Sequence, residues 1–148
     1  MESDRTDSTI LLADDDDDFC VLARKAMERA SFDVALKTVE NGDELLKFLR
    51  KEPPYEGART PRMILLDLNM PRKDGRAALH DIRADQSVRF IPVIVLTTSR
   101  AAKDVLASYK NGASAYIPKP DSFGNLVNVM RSIKQFWFET ALLPDAGI

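Results

Sequence analysis

The sequence predicts an α/β fold, a single domain in which helices doubly wind a five-stranded parallel sheet of the form (βα)5. Three observations carry this expectation. Four short apolar runs, Ile10–Ala13, Met63–Leu66, Val93–Leu96 and Ala115–Pro118, are almost continuous, as parallel strands buried on both faces are. Stretches of helical period lie between them, so strand and helix alternate along the chain. The length of 148 residues, with 45% apolar and 30% charged side chains, suits one globular domain.

Taken in order, the first strand is followed by Phe19, Leu22, Ala23, Ala26, Met27 and Ala30, which recur at the spacing of one helix face. An aspartate before a helix makes a good N-cap, a role expected here of Asp17 or Asp18. The segment Val34–Val39 alternates, with Val34 and Leu36 apolar and Lys37 polar, and predicts an edge strand. Asn41-Gly42 marks a turn, and Leu45, Phe48 and Leu49 carry a short second helix. The stretch "EPPYEGARTP" predicts a loop on its proline and glycine content. Leu79 with Ile82, then Val105 with Tyr109, mark the third and fourth helices, and Leu126, Met130, Ile133 and Trp137 give the stripe of a fifth. Val129 and Phe136 extend that core face. Phe138 falls instead at i+7 from Arg131 and i+4 from Lys134, on the polar stripe. The domain is expected over 10–139, with tails at 1–9 and 140–148.

Charge and composition exclude several classes. A net charge of −2 leaves no electrostatic footprint for nucleic acid or an anionic membrane. Cys20 is the one cysteine, so no disulfide framework exists, and its apolar neighbours Phe19, Val21 and Leu22 predict a small core residue. The start "MESDRTDST" is polar, and no apolar run nears the ~18 residues of a membrane span. A cytoplasmic location is the expectation.

In a doubly wound sheet, functional residues gather at the carboxyl ends of the strands. Here those ends carry Asp14-Asp15, Asp67, Thr97-Thr98 and Lys119. Each has an ordinary explanation alone, as a cap, a strand-end hydroxyl or a solvated lysine. Their meeting on one rim is harder to explain by chance. With the first and third strands adjacent, Asp14, Asp15 and Asp67 come close together, and like charges ~4 Å apart repel by about 4 kcal/mol at an effective dielectric of ~20. A divalent cation removes that cost. A hard cation taking carboxylates, a backbone carbonyl, waters and phosphate oxygens describes Mg²⁺. Lys119 and Thr97 suit an incoming phosphoryl oxygen, and an aspartate in that setting is a phosphoryl acceptor.

The set Asp14-Asp15, "LLDLNMPRKDG", "VLTTS" and "AYIPKP" resembles the receiver domain of two-component response regulators, over about Ile10 to Trp137. The resemblance implies a flavodoxin-like fold with strand order 2-1-3-4-5. It further implies that Asp67 is phosphorylated from a histidine kinase. Asp15, Asp67 and the backbone carbonyl of Asn69 would bind Mg²⁺, with Asp14 acting directly or through water. Thr97 and Lys119 would contact the phosphoryl group, and Tyr116 would change rotamer with Thr97. The Lys119–Pro120 bond is usually cis in this family. The protein would be a phosphoacceptor that catalyses its own phosphotransfer, and autodephosphorylation too is open to it. "LDLNMPRKDGR", "IPVIVLTTS" and the "FWF…LLP" end look like the small stand-alone regulators of bacterial phytochrome kinases, which makes a bacteriophytochrome the kinase expected. Asp17, where many members have proline, and Thr98, bulkier than the usual Ala or Gly, depart from the commoner pattern.

A receiver alone signals through another protein, so a downstream protein partner is expected, or a homodimer through the fourth helix, fifth strand and fifth helix. Tyr109, Phe136 and Phe138 are the interface candidates, and His80 is a surface residue. Three alternatives remain at this level. A degenerate receiver would act as a docking module without phosphorylation. A Mg-dependent phosphatase of the haloacid-dehalogenase type would need a second aspartate where Asn69 stands. A flavodoxin-like FMN carrier would need a Ser/Thr/Gly-rich first loop where this chain has five aspartates.

Overall fold

The computed structural model describes residues 8–144, so the outer parts of both expected tails, 1–7 and 145–148, lie outside it. Strands β1 (Thr9–Ala13), β2 (Ala35–Val39), β3 (Met63–Leu66), β4 (Val93–Thr97) and β5 (Ala115–Pro118) alternate with helices α1 (Asp17–Arg29), α2 (Gly42–Arg50), α3 (Gly75–Ala84), α4 (Ala102–Lys110) and α5 (Phe123–Ile133). The strands form one parallel sheet in the order β2-β1-β3-β4-β5. This is the doubly wound architecture expected from the apolar runs.

The period of two in a strand splits the core into two layers. Ile10 and Leu12 of β1 face a cluster closed by Phe19, Ala23, Ala26 and Met27 of α1 and Leu126, Val127, Met130 and Ile133 of α5. Leu11 and Ala13 face the other, closed by Leu45, Phe48 and Leu49 of α2 and Leu79 and Ile82 of α3. Because β1 and β3 are covered on both sides, all four residues of β3 and all five of β1 are buried. No helix among the described residues is long and apolar enough to cross a membrane.

Four local expectations are corrected. The N-cap of α1 is Asp16, whose side chain accepts from the Phe19 amide; Asp17 and Asp18 occupy the first turn, where their charge suits the helix dipole. Leu22 is 43% exposed and Cys20 only half-buried, because α1 lies on the sheet along the Phe19–Ala23–Ala26–Met27 line and both residues fall at its margins. Helix α4 buries only Ser108, leaving Tyr109 about half exposed, since it rests against the sheet's half-covered edge at β5.

The last correction concerns the chain end. After α5 the backbone widens into a π-helical turn, Lys134–Thr140, closed by the Ala141 amide on the Phe136 carbonyl. The wider turn rotates the aromatics out of the register of a regular helix. Phe138, expected on the polar stripe, packs edge-to-face on Phe32 with centroids 4.9 Å apart, while Phe136, expected to reach the core, is 54% exposed.

Candidate functional site

Parallel register builds the site. Ala13 pairs with Leu66, so the residues that follow them, Asp14 and Asp67, stand side by side. Thr97 pairs with Pro118, which sets Lys119 beside Thr97, and the Lys119 amide donates to the Thr97 carbonyl at 2.7 Å. Asp14, Asp67 and Thr97 are all buried, while Asp15 is exposed at the mouth. Gly75 packs against the strand end that carries Asp67 from outside. A Cβ there would overlap the Asp67 carbonyl oxygen and come within 2.8 Å of Leu68 Cα, and its amide donates to the Leu68 carbonyl. Only glycine lets α3 begin so close to Asp67.

Thr97 Oγ1 donates to Asp67 Oδ1 at 2.7 Å. Lys119 Nζ lies 2.7 Å from Asp14 Oδ2 and 3.9 Å from Asp67 Oδ2, and 4.2 Å above the centre of the Phe19 ring. Asp14 Oδ1 accepts from the Asp16 amide at 2.9 Å. Its partner oxygen Oδ2 is buried and, despite the nearby ammonium, lacks a hydrogen bond of acceptable direction. Burial pushes the Asp14 carboxyl above its ordinary range and the charge of Asp67 adds to this, while Lys119 and the Asp16 amide pull against it.

The donor set fits a hard divalent cation. Asp14, Asp15 and Asp67 each offer a carboxylate oxygen, all within 4.8 Å of one another. Asp14 Oδ2, which meets only the Lys119 ammonium, adds a buried acceptor that a cation would satisfy.

The remaining expected residues lie around this centre. Asn69 sits on the loop after β3, its amide 3.4 Å from Asp67 Oδ1. Tyr116 points its hydroxyl to the Ser99 carbonyl at 2.8 Å, and its amide donates to the Tyr109 hydroxyl at 3.1 Å. Thr98 is exposed beside Thr97. His80 is at the surface, its Nδ1 3.5 Å from Asp81 Oδ1. The Lys119–Pro120 bond is trans, since the cis bond among the described residues is Pro53–Pro54; this corrects the expectation of a cis bond. Trans is the lower-energy isomer, and the Lys119 side chain reaches Asp14 from it.

Two residues that the sequence did not single out join the rim. Arg76 NH2 meets Asp104 Oδ1 at 3.2 Å, and Ser99 Oγ donates to Asp104 Oδ2 at 2.6 Å. No local pattern signals such a pair, because its members belong to different helices.

A sequence model of the response regulator receiver domain matches residues 10–131. Response regulator Rcp1 of Synechocystis sp. is 36% identical over 137 residues, covering 93% of this chain and 93% of that protein. Among solved structures, the phosphorylated cyanobacterial phytochrome response regulator RcpA superposes with a TM-score of 0.88 at 36% identity, covering 94% of this chain and 99% of its own. The Mn²⁺-bound form of Rcp1 superposes with a TM-score of 0.85 at 36% identity, covering 93% and 99%.

Proposed function

The chain belongs to the response regulator receiver domain family, and from that premise we propose that Asp67 is its phosphoacceptor, charged from the phosphohistidine of a histidine kinase. The observation that carries this reading is the setting of the Asp67 carboxylate. It is buried, oriented by Thr97 Oγ1 on one oxygen and approached by Lys119 Nζ on the other, with Asp14 and Asp15 alongside.

In the transfer, an Asp67 oxygen forms the new P–O bond as the P–N bond to the kinase imidazole breaks, and the leaving nitrogen keeps the electron pair. Asp67 is already pointed by Thr97, so little reorganisation is needed. Once the phosphoryl group is on Asp67, the Thr97 hydroxyl and the Lys119 ammonium are free to contact its oxygens, which spread the added charge. Asp14, Asp15, Asp67 and the Asn69 carbonyl would hold Mg²⁺, which when bound neutralises charge on the phosphoryl oxygens. The Mn²⁺-bound Rcp1 supports a divalent cation in a relative's site.

A bacteriophytochrome is the kinase we favour, on the likeness to RcpA, a cyanobacterial phytochrome response regulator. Thr97 drawn to the phosphoryl group would shift Tyr116 and change the α4–β5–α5 face, where a downstream protein or a second copy would bind. Autodephosphorylation would follow from water reaching the same centre.

Intact mass after incubation with acetyl phosphate tests the reading. A gain of one phosphoryl group that needs both Mg²⁺ and Asp67, and is absent in Asp67→Asn, is expected. No gain in the wild type, with divalent-cation binding measured separately, would sink it and leave a docking module.

A further inference from the structure

Helix α4 buries the fewest residues of the five α-helices. It buries only Ser108, and its N-terminus at Ala101 lacks a side-chain cap. Its position therefore depends on polar ties. At its first turn, Asp104 takes the Ser99 hydroxyl at 2.6 Å and Arg76 of α3 at 3.2 Å. At its last turn, the Tyr109 hydroxyl accepts the Tyr116 amide.

Both ends of the first tie lead into the acceptor site. Ser99 stands two residues after Thr97 and takes the Tyr116 hydroxyl on its carbonyl at 2.8 Å. Arg76 directly follows Gly75, the residue pressed against the Asp67 backbone, and its NH1 lies 3.5 Å from Asn69 Oδ1, at the outer limit of a hydrogen bond. One guanidinium thus joins the loop after β3, at whose start Asp67 lies, to helix α4, whose Asp104 in turn holds Ser99 of the segment after β4. An exposed ion pair adds little stability by itself. Asp104 is the less exposed partner, at 16% against 40% for the Arg76 side chain. The Ser99 hydroxyl, then Arg76, hold its carboxyl below the ordinary range.

We infer that Arg76 is a positioning residue, which through Asp104 and Ser99 holds the Asp67-bearing loop after β3 and the segment after β4 in register and ties them to Tyr116. This rests on the reading of Asp67 as phosphoacceptor. Arginine suits the task because its planar fork reaches two partners at once; lysine would hold Asp104 or Asn69 but not both.

Two readouts on the full chain test this. In protein labelled with 3-fluorotyrosine, the fluorine resonance of Tyr116, assigned with Tyr116→Phe, reports its setting before any phosphorylation. The decay of phosphorylated Asp67 after acetyl phosphate is removed reports the closure of the site. Arg76→Ala is expected to move the Tyr116 resonance and to speed phosphoryl loss by roughly threefold or more, with Arg76→Lys between it and wild type. Asp104→Asn, which keeps the shape of the side chain, should reproduce both effects and stands in should Arg76→Ala fail to fold. A Tyr116 resonance or a lifetime that both variants leave at the wild-type value would overturn the inference, even if their melting temperatures fall. Failure of the wild type to gain a phosphoryl group would overturn the phosphoacceptor reading and this inference with it. Labelled variants with wild-type lifetimes would overturn this inference alone.

Discussion

The Thr97 hydroxyl donates to Asp67 Oδ1 at 2.7 Å across two neighbouring strands, and both side chains are buried. A buried carboxylate held on one oxygen cannot rotate freely. Asp67 Oδ2 therefore faces the Lys119 ammonium, 3.9 Å away. The bond links the strand that presents Asp67 to the one that leads into Ser99 and α4.

Thr97→Ala removes that orienting donor and leaves Asp67 Oδ1 only the longer approach of the Asn69 amide at 3.4 Å. Labelling from acetyl phosphate should slow by about tenfold or more. Thr97→Ser keeps the hydroxyl and should stay close to wild type. The initial rate of mass gain decides it: a wild-type rate in the alanine variant would mean the hydroxyl has no part in orienting Asp67.

Asp14 should make the metal-free fold more stable in acid. Its folded pKa is raised by burial and by Asp67, so folding favours the protonated form. That stabilisation is present below the ordinary carboxylate pKa and is lost as pH rises through the raised value. In EDTA, the urea midpoint of the wild type relative to that of Asp14→Asn should therefore fall across this window. Excess Mg²⁺ should reverse this relative fall, and Asp14→Asn should weaken cation binding. A wild-type midpoint that rises with pH relative to that of Asp14→Asn would contradict the assignment.

Cys20 should be an inert thiol. Burial first, then the negative charge of Asp14, Asp17 and Asp16, pushes its pKa up from 9.0 to about 11, and its Sγ lies 3.8 Å from the Asp14 carbonyl. At neutral pH its thiolate fraction is then roughly 100-fold below that of an ordinary cysteine. Alkylation by iodoacetamide, followed by mass, should be slower than for a denatured control in about that proportion. Equal rates would show that the thiol is open.

Much of the fold could be read from the sequence because a parallel sheet covered on both faces writes itself as continuous apolar runs. The strand ends followed from those runs, and the acidic, hydroxyl and ammonium groups of the rim followed from the strand ends. The acidic run resolves the same way: Asp14 and Asp15 enter the candidate metal pocket, Asp16 caps α1, and Asp17 and Asp18 face solvent. Other features have no local signature. The Arg76–Asp104 pair joins two helices 28 residues apart in sequence. A regular helical period also cannot anticipate a π-helical turn, which is why the places of Phe136 and Phe138 were exchanged.

That exchange gives the last prediction. Phe138 packs on Phe32 beneath the chain end, so Phe138→Ala should lower stability by about 1–3 kcal/mol, as partial loss of a packed aromatic does. Phe136 is 54% exposed, with its ring edge-on to Trp137 at 5.2 Å, and Phe136→Ala should stay within about 0.5 kcal/mol of wild type. If the chain pairs through the α4–β5–α5 face, Phe136 and Tyr109 are the exposed aromatics available to it. The Phe136 variant should then weaken self-association without loss of stability, and the Phe138 variant should do the reverse. Urea denaturation and sedimentation of both variants, with and without acetyl phosphate, separate the two effects. A destabilised Phe136 variant beside an unaffected Phe138 variant would return the aromatics to the register of an unbroken helix.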